Sequence, residues 1–234
     1  MRQQLKRFET RKLFFAEYLY KLVLRNDLSS IFRTELQGKE KLNYARTQLD
    51  QLTENYRNNL PLYKKAWRAD VLLHEDEYFD AMTIYNALKN SNDYKIRIDN
   101  HSQITLFSNN RKMLLDIANK LHKQRVDFWE PKQEHLTLLT GKTQIKIVNV
   151  VPELELKVYF NSKRVNAEFA NWIDANRDKC KIGEIAFSSI QLHGYLSGFY
   201  MYVRDEKVLN LVMLLAGNSI RNVEKLVYVP DIDK

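Results

Sequence analysis

Cysteine, glycine, proline and histidine are all scarce in this chain of 234 residues, and each shortage removes a class of chemistry. The single cysteine, Cys180, cannot close an internal disulfide. Lys179 and Lys181 flank it and would activate an exposed thiol, but the plainer reading is a tolerated cysteine in a reducing, cytoplasmic setting, which for a viral protein means host cytoplasm or virion. Six glycines leave little material for a phosphate cradle, and no G-x-G-x-x-G, Walker loop or G-x-S-x-G elbow occurs. The five histidines (His74, His101, His122, His135, His193) never fall three or four residues apart, so no metal site is expected. The apolar run from Val208 to Ala216 is about half of the ~20 residues that span a bilayer, and Glu17 interrupts the apolar stretch that follows the basic N-terminus. No membrane segment, export signal or small-molecule cofactor is expected.

Negative charge is also in deficit. There are 37 Lys and Arg against 29 Asp and Glu, a net charge of +8. The excess is shared equally between residues 1–92 and 93–234, and the densest stretch is 1–33, with 8 basic and 3 acidic side chains. Such a balance favours polyanionic partners. Disorder is excluded by composition, because 44% of the residues are hydrophobic and 12% aromatic. The Lys-, Asn-, Ile- and Tyr-rich flavour suits an AT-rich microbial or phage genome.

Hydrophobic periodicity divides the chain in two. Residues 1–92 read as a basic helix or arm (1–12), a strand pair (18–24 and 30–33) and three helices (about 39–58, 63–71 and from 74 onward). The stripe Leu42, Ala45, Leu49, Leu52 and Tyr56 either packs on the helix through 62–72 or seats a protein partner. Residues 93–234 read as an α+β region: strands at 94–98 and 103–107, a helix capped by Asn110, a strand at 126–129, strands within 144–160, a helix at 167–175, an ambiguous stretch at 182–196, then strand 198–203, helix 206–216 and strand 223–229. The two regions are read as separate domains or as one continuous globule.

An internal repeat links residues 102–131 and 197–230. Ser102 aligns with Ser197, and continuing without a gap Asn110 meets Asp205, Lys112 meets Lys207 and Leu114 meets Leu209. The expected fold is therefore α+β: an N-terminal strand pair and helical region, followed by mainly antiparallel sheet built from two ferredoxin-like strand–helix units.

Three constellations invite functional readings. His74-Glu75-Asp76-Glu77 with Asp80 is an acidic group suited to Mg²⁺, but carboxylates also belong at a helix start. Glu155-Leu156-Lys157, with Glu153, resembles half of a metal-nuclease signature, yet the preceding strand supplies no acid. The third is a set of strand aromatics ringed by cations, the arrangement on which single-stranded nucleic acids stack. Its candidate contacts are Arg2, Lys6, Arg7, Arg11, Lys12, Lys95, Arg97, Arg111, Lys112 and Arg204, with Tyr200 and Tyr202 as stacking rings. Period two puts both tyrosines on one face and Phe199, Met201 and Val203 on the other, where helix 206–216 can cover them. The expected function is non-catalytic nucleic-acid binding within a replication, expression or packaging assembly. The alternatives are a protein-interaction or virion-assembly protein, and an enzyme of unfamiliar site.

Overall fold

The structure, a computed structural model, describes residues 4–33, 40, 42–65, 69–99, 102–122, 125–140, 144–192 and 196–230. The chain divides into two compact units, the first comprising residues 1–10 and 14–132 and the second 11–13 and 133–234. The break expected near residue 92 falls between two elements of the first unit.

In the first unit, β1 (Gln4–Glu9) and β2 (Tyr20–Arg25) precede α1 (Asn43–Arg57), a hairpin of β3 (Tyr63–Lys65) and β4 (Asp70–Leu72), and α2 (Glu75–Lys89). Then come β5 (Lys95–Asp99), β6 (Gln103–Ser108), α3 (Arg111–Lys120) and β7 (Arg125–Glu130). Five strands form one sheet in the order β1-β7-β2-β6-β5; β1 runs parallel to β7 and the other pairings are antiparallel. Tyr20, Leu22 and Leu24 of β2 alternate inward, where they pack with Ala45, Leu49 and Leu52 of α1 and Ile84 and Leu88 of α2.

The second unit contains α4 (Leu136–Leu139), β8 (Ile145–Val148), β9 (Leu156–Phe160), α5 (Ala167–Ala175), β10 (Cys180–Ile182), α6 (Glu184–Gln191), β11 (Tyr200–Val203), α7 (Glu206–Ala216) and β12 (Ile220–Tyr228). Its sheet has the order β10-β11-β9-β12-β8, again with a single parallel pair, β12 with β8. Cys180 lies in this unit's core, its Sγ against the Asn176 carbonyl, and burial pushes its thiol up to about 11.

The two sheets share one register. Leu22 of β2 lies between Leu106 and Phe128, as Val158 of β9 lies between Met201 and Val223. Both neighbours are 95 positions apart (201 minus 106, 223 minus 128), while the central residues differ by 136. The edge strands keep step: Glu9 faces Glu130 and Ile145 faces Lys225, displaced by the same 136 and 95 positions. Each repeated helix starts on a side-chain cap, Asn110 accepting from Met113 N at 3.0 Å and Asp205 from Val208 N at 2.9 Å.

Several sequence expectations are corrected. Both sheets are mixed, because β1 and β8 add parallel strands at their edges. Residues 4–9 of the expected helix or arm form β1, where the ladder with β7 satisfies the backbone. The expected return strand at 30–33 includes a 3₁₀ turn, Ser29–Phe32, led in by Asn26 Oδ1 accepting from Leu28 N at 2.8 Å. That turn buries Leu28, Ile31 and Phe32, while β2 pairs instead with β6 and β7. The expected helix at 63–71 is the β3–β4 hairpin, closed by buried Leu62 and Leu73 through Leu73 N donating to Leu62 O at 2.8 Å. Ala66 and Trp67, on which that helix relied, lie outside the described residues. The stripe on α1 packs on α2, where Thr53 and Tyr78 hydroxyls meet at 2.8 Å. The ambiguous stretch at 182–196 contains α6.

Candidate nucleic-acid interface

Each five-stranded sheet has one face under its helices and a second face turned away from them. Parity decides what the second face carries. In the first unit it takes Lys6 and Phe8 from β1, Asp127 and Trp129 from β7, Lys21 and Arg25 from β2, Thr105 and Phe107 from β6, and Lys95, Arg97 and Asp99 from β5. Cations and rings interleave there. Phe8 stacks on Trp129 at 4.6 Å, and Lys21 Nζ stands 3.4 Å from the Trp129 centroid and 5.0 Å from that of Phe14. Lys6 lies 4.9 Å from the Phe8 centroid and Lys95 3.8 Å from that of Phe15. Burial, with Arg97 nearby, holds the Lys21 ammonium below the ordinary lysine value, although Asp127 opposes the shift.

The corresponding face of the second unit carries Lys157 and Tyr159 from β9, Tyr200 and Tyr202 from β11, Asn222 and Glu224 from β12, Lys146 from β8 and Lys181 from β10. Lys157 takes the register position of Lys21 and stands 3.6 Å from the Tyr200 centroid. Tyr159 Oη donates to Glu224 Oε2 at 2.8 Å, and burial together with this bond raises the phenol's pKa. Lys12 reaches the other Glu224 oxygen at 3.4 Å. Lys146 is held below the ordinary lysine value, first by burial and then by Lys157. Met201 and Val203 are buried beneath the helices, while Tyr200 is 43% exposed and Tyr202 half-buried on the other face.

The twelve sequence candidates separate into groups. Lys6, Lys95 and Arg97 come together on the first unit's open face, where Arg97 also pairs with Asp99 at 2.9 Å. Tyr200 and Tyr202 share the second unit's open face, and Lys12 joins it through Glu224. Arg7 and Arg111 lie on the helix side of the first sheet, both paired to Glu130 at 2.8 and 2.7 Å. Lys112 lines a separate cleft between α2 and α3 with Asn86, Asn90 and Asn110. Arg11 gives its carbonyl to Ile147 N at 2.8 Å. Arg204 pairs with Asp178 at 3.5 Å, and Arg2 lies outside the described residues.

Sequence reasoning missed Lys21, Arg25, Trp129, Lys157 and Lys181 as site residues. The alternation Lys21-Val23-Arg25 against Tyr20-Leu22-Leu24 carried the signal for two of them. Tyr20, an aromatic of β2, is in the core at 6.2 Å from Phe128. Phe107 is covered by Phe14, Phe15 and Tyr18.

Among the described residues no group of three or more His, Cys, Asp or Glu can hold a metal ion, and no helix is long and apolar enough to cross a membrane. His74 instead caps α2, accepting from Asp76 N at 3.3 Å. Glu153 of the nuclease-like fragment pairs with Lys181. Comparisons with protein-family models, curated proteins and solved structures return no match.

Proposed function

We propose that the protein binds single-stranded nucleic acid on the open faces of its two sheets, as a non-catalytic component of a replication, expression or packaging assembly. Each sheet is read as a copy of one ferredoxin-like strand–helix unit, a reading supported by the shared register of β2 with β9 and of β6–α3–β7 with β11–α7–β12. The carrying observation is the interleaving of rings and cations on both faces, centred on Lys21 beside Trp129 and Lys157 beside Tyr200. Planar rings on a sheet offer bases a stacking platform, and the surrounding ammonium and guanidinium groups meet the phosphates. Duplex DNA presents its bases edge-on within grooves, which a broad sheet face cannot enter as a helix or ribbon does.

The test is a titration of the intact chain with single-stranded DNA and RNA at rising salt. Affinity should fall by about 300-fold between about 50 and 200 mM salt if about six phosphates of a single strand are contacted. Absence of binding to either single strand at low salt would end the proposal, and a preference for duplex would remove the stacking mechanism.

The alternative, a protein-assembly role, draws on Ile185 and Leu192 at α6 and Leu214 on α7, which are 76%, 82% and 80% exposed. Concentration-dependent association in sedimentation, abolished by Leu214→Ser, would favour it.

A further inference from the structure

The displacement of 136 that relates Glu9 to Ile145 and Leu22 to Val158 also pairs the positions between them, although β8 runs on to Val148 whereas β1 ends at Glu9. Phe14, Phe15 and Ala16 of the first unit match Val150, Val151 and Pro152 of the second (151 minus 15 is again 136). In the first unit the loop entering β2 turns back over the sheet. Phe14 N donates to Tyr18 O at 2.8 Å and Tyr18 N returns to Phe14 O at 2.9 Å. Phe15 and Ala16 take φ values of 54° and 61°, left-handed conformations that cost non-glycine residues free energy. The result is an aromatic ring held in a fixed place: Phe15 meets Phe107 edge-on at 4.9 Å, with Lys95 Nζ 3.8 Å from its centroid.

The second unit has the same receiving parts. Lys181 stands opposite Tyr202 as Lys95 stands opposite Phe107, so Tyr202 replaces Phe107 and Lys181 replaces Lys95. The loop, however, cannot make the same turn. Pro152 stands where Ala16 has positive φ, and the proline ring fixes φ at about −65°. Val150 and Val151 accordingly lie at the rim of the space beside Tyr202, 71% and 68% exposed. The space beside Tyr202 is a cleft of about 410 Å³, walled by Val148, Val151, Leu154 and Leu226 with Lys181 at its side.

We infer that this cleft is a nucleobase pocket, receiving one unstacked base where the first unit lays its own Phe15 ring. The inference rests on the single-strand reading above and specifies where that reading has a site for an individual base. Tyr202 offers a ring to stack on, the aliphatic walls give the base an apolar seat, and Lys181 supplies a cation to the face of the base or to its phosphate. Lys181 pairs with Glu153 in the structure, so an entering phosphate exchanges one anionic partner for another.

The probes are an oligodeoxynucleotide of about eight residues and a chain of equal charge built wholly from abasic residues. They are titrated against the intact protein, Tyr202→Leu and Lys181→Gln, each variant checked by thermal melting. Wild-type protein should prefer the base-bearing chain. Tyr202→Leu should weaken that chain by about tenfold while leaving the abasic affinity unchanged. Lys181→Gln should weaken it a few-fold, and it carries the test alone if Tyr202→Leu lowers the melting temperature. Salt-sensitive binding in which both variants match wild type overturns the pocket and leaves the proposed function standing. Failure of the wild type to bind either chain overturns both. Displacement at Tyr202 by a tryptophan-bearing peptide, with no response to the oligonucleotide, assigns the cleft to a protein side chain and overturns the inference.

Discussion

Where the first unit lays Phe15 over Phe107, the second leaves Val150 and Val151 exposed at the rim of a cleft beside Tyr202, although the strands beneath keep the same register. The backbone ladder and the loop respond to different constraints. Register is fixed by which residues are buried on the central strand, because a shift of one residue exposes the whole inward set. Leu22 and Val158 occupy that inward position with 0% exposure, and the pattern around them survives almost complete change of side chains. The loop that enters that strand has no such lock. A proline at the position of Ala16 excludes the positive φ on which the first unit's turn depends.

The largest effects are expected at the two central residues, Leu22 and Val158. Leu22→Ala should cost about 2–5 kcal/mol, and Val158→Ala about 2 kcal/mol because less volume is lost. If the units are equivalent folding bodies, calorimetry should resolve two transitions, each lowered by one substitution alone. A single transition shifted by both would show that the duplicated register does not make two independent folding units.

Much of this architecture was legible in the sequence, and the exceptions have physical causes. The starts of α3 and α7 were readable because Asn110 and Asp205 are cap residues followed by apolar residues at helical spacing. The matching of β1–β2 with β8–β9 was not, since it depends on strand partners far along the chain. The β3–β4 hairpin was misread as helix because Tyr63, Ala66, Trp67 and Val71 imitate helical spacing, whereas the buried residues are Leu62 and Leu73 at its ends. In the site, the facing of Tyr200 and Tyr202 followed from parity alone. Trp129 beside Lys21, and Tyr200 beside Lys157, required knowledge of which strands are neighbours. Arg7 and Arg111 looked like free cations because their common partner, Glu130, is 123 residues from the first of them.

A second comparison concerns buried charge. In the second unit Glu224 meets Tyr159 and Lys12, whereas in the first Asp80 is fully buried and its Oδ2 has no hydrogen-bond partner among the described residues. Asp80 Oδ1 accepts from His122 N at 2.8 Å and lies 2.9 Å from His122 Nδ1. Burial, opposed by these His122 contacts and reinforced by Asp76, still raises the Asp80 pKa, and burial raises that of Glu77 as well. A carboxyl with a raised folded-state pKa binds its proton more tightly when folded. Its contribution is therefore complete below the ordinary carboxylate value and is lost as pH rises through the raised one. The first unit's transition should weaken over that window by at most about 1.4 kcal/mol per pH unit for each proton, and Asp80→Asn should flatten the slope while Glu77 retains part of it. An unchanged slope in the variant would remove Asp80 from the account.

The smallest expected effects lie at the two caps. Asn110 and Asp205 perform one task, each accepting a backbone N–H three residues on at the start of a helix that follows an equivalent strand. Replacement of either by alanine removes that acceptor and should cost about 1 kcal/mol. The two caps differ in charge. Asp205 also sets a carboxylate against the positive end of the α7 dipole, worth about 0.3–1 kcal/mol at low ionic strength, whereas the Asn110 amide adds no such charge at α3. Asp205→Ala should therefore be the costlier substitution in dilute buffer, and its excess over Asn110→Ala should shrink as salt screens the dipole. Paired denaturant titrations at low and high salt measure this difference directly. Equal costs at every salt concentration would mean that the caps act through geometry alone, making the two helix starts equivalent in energy as well as in register.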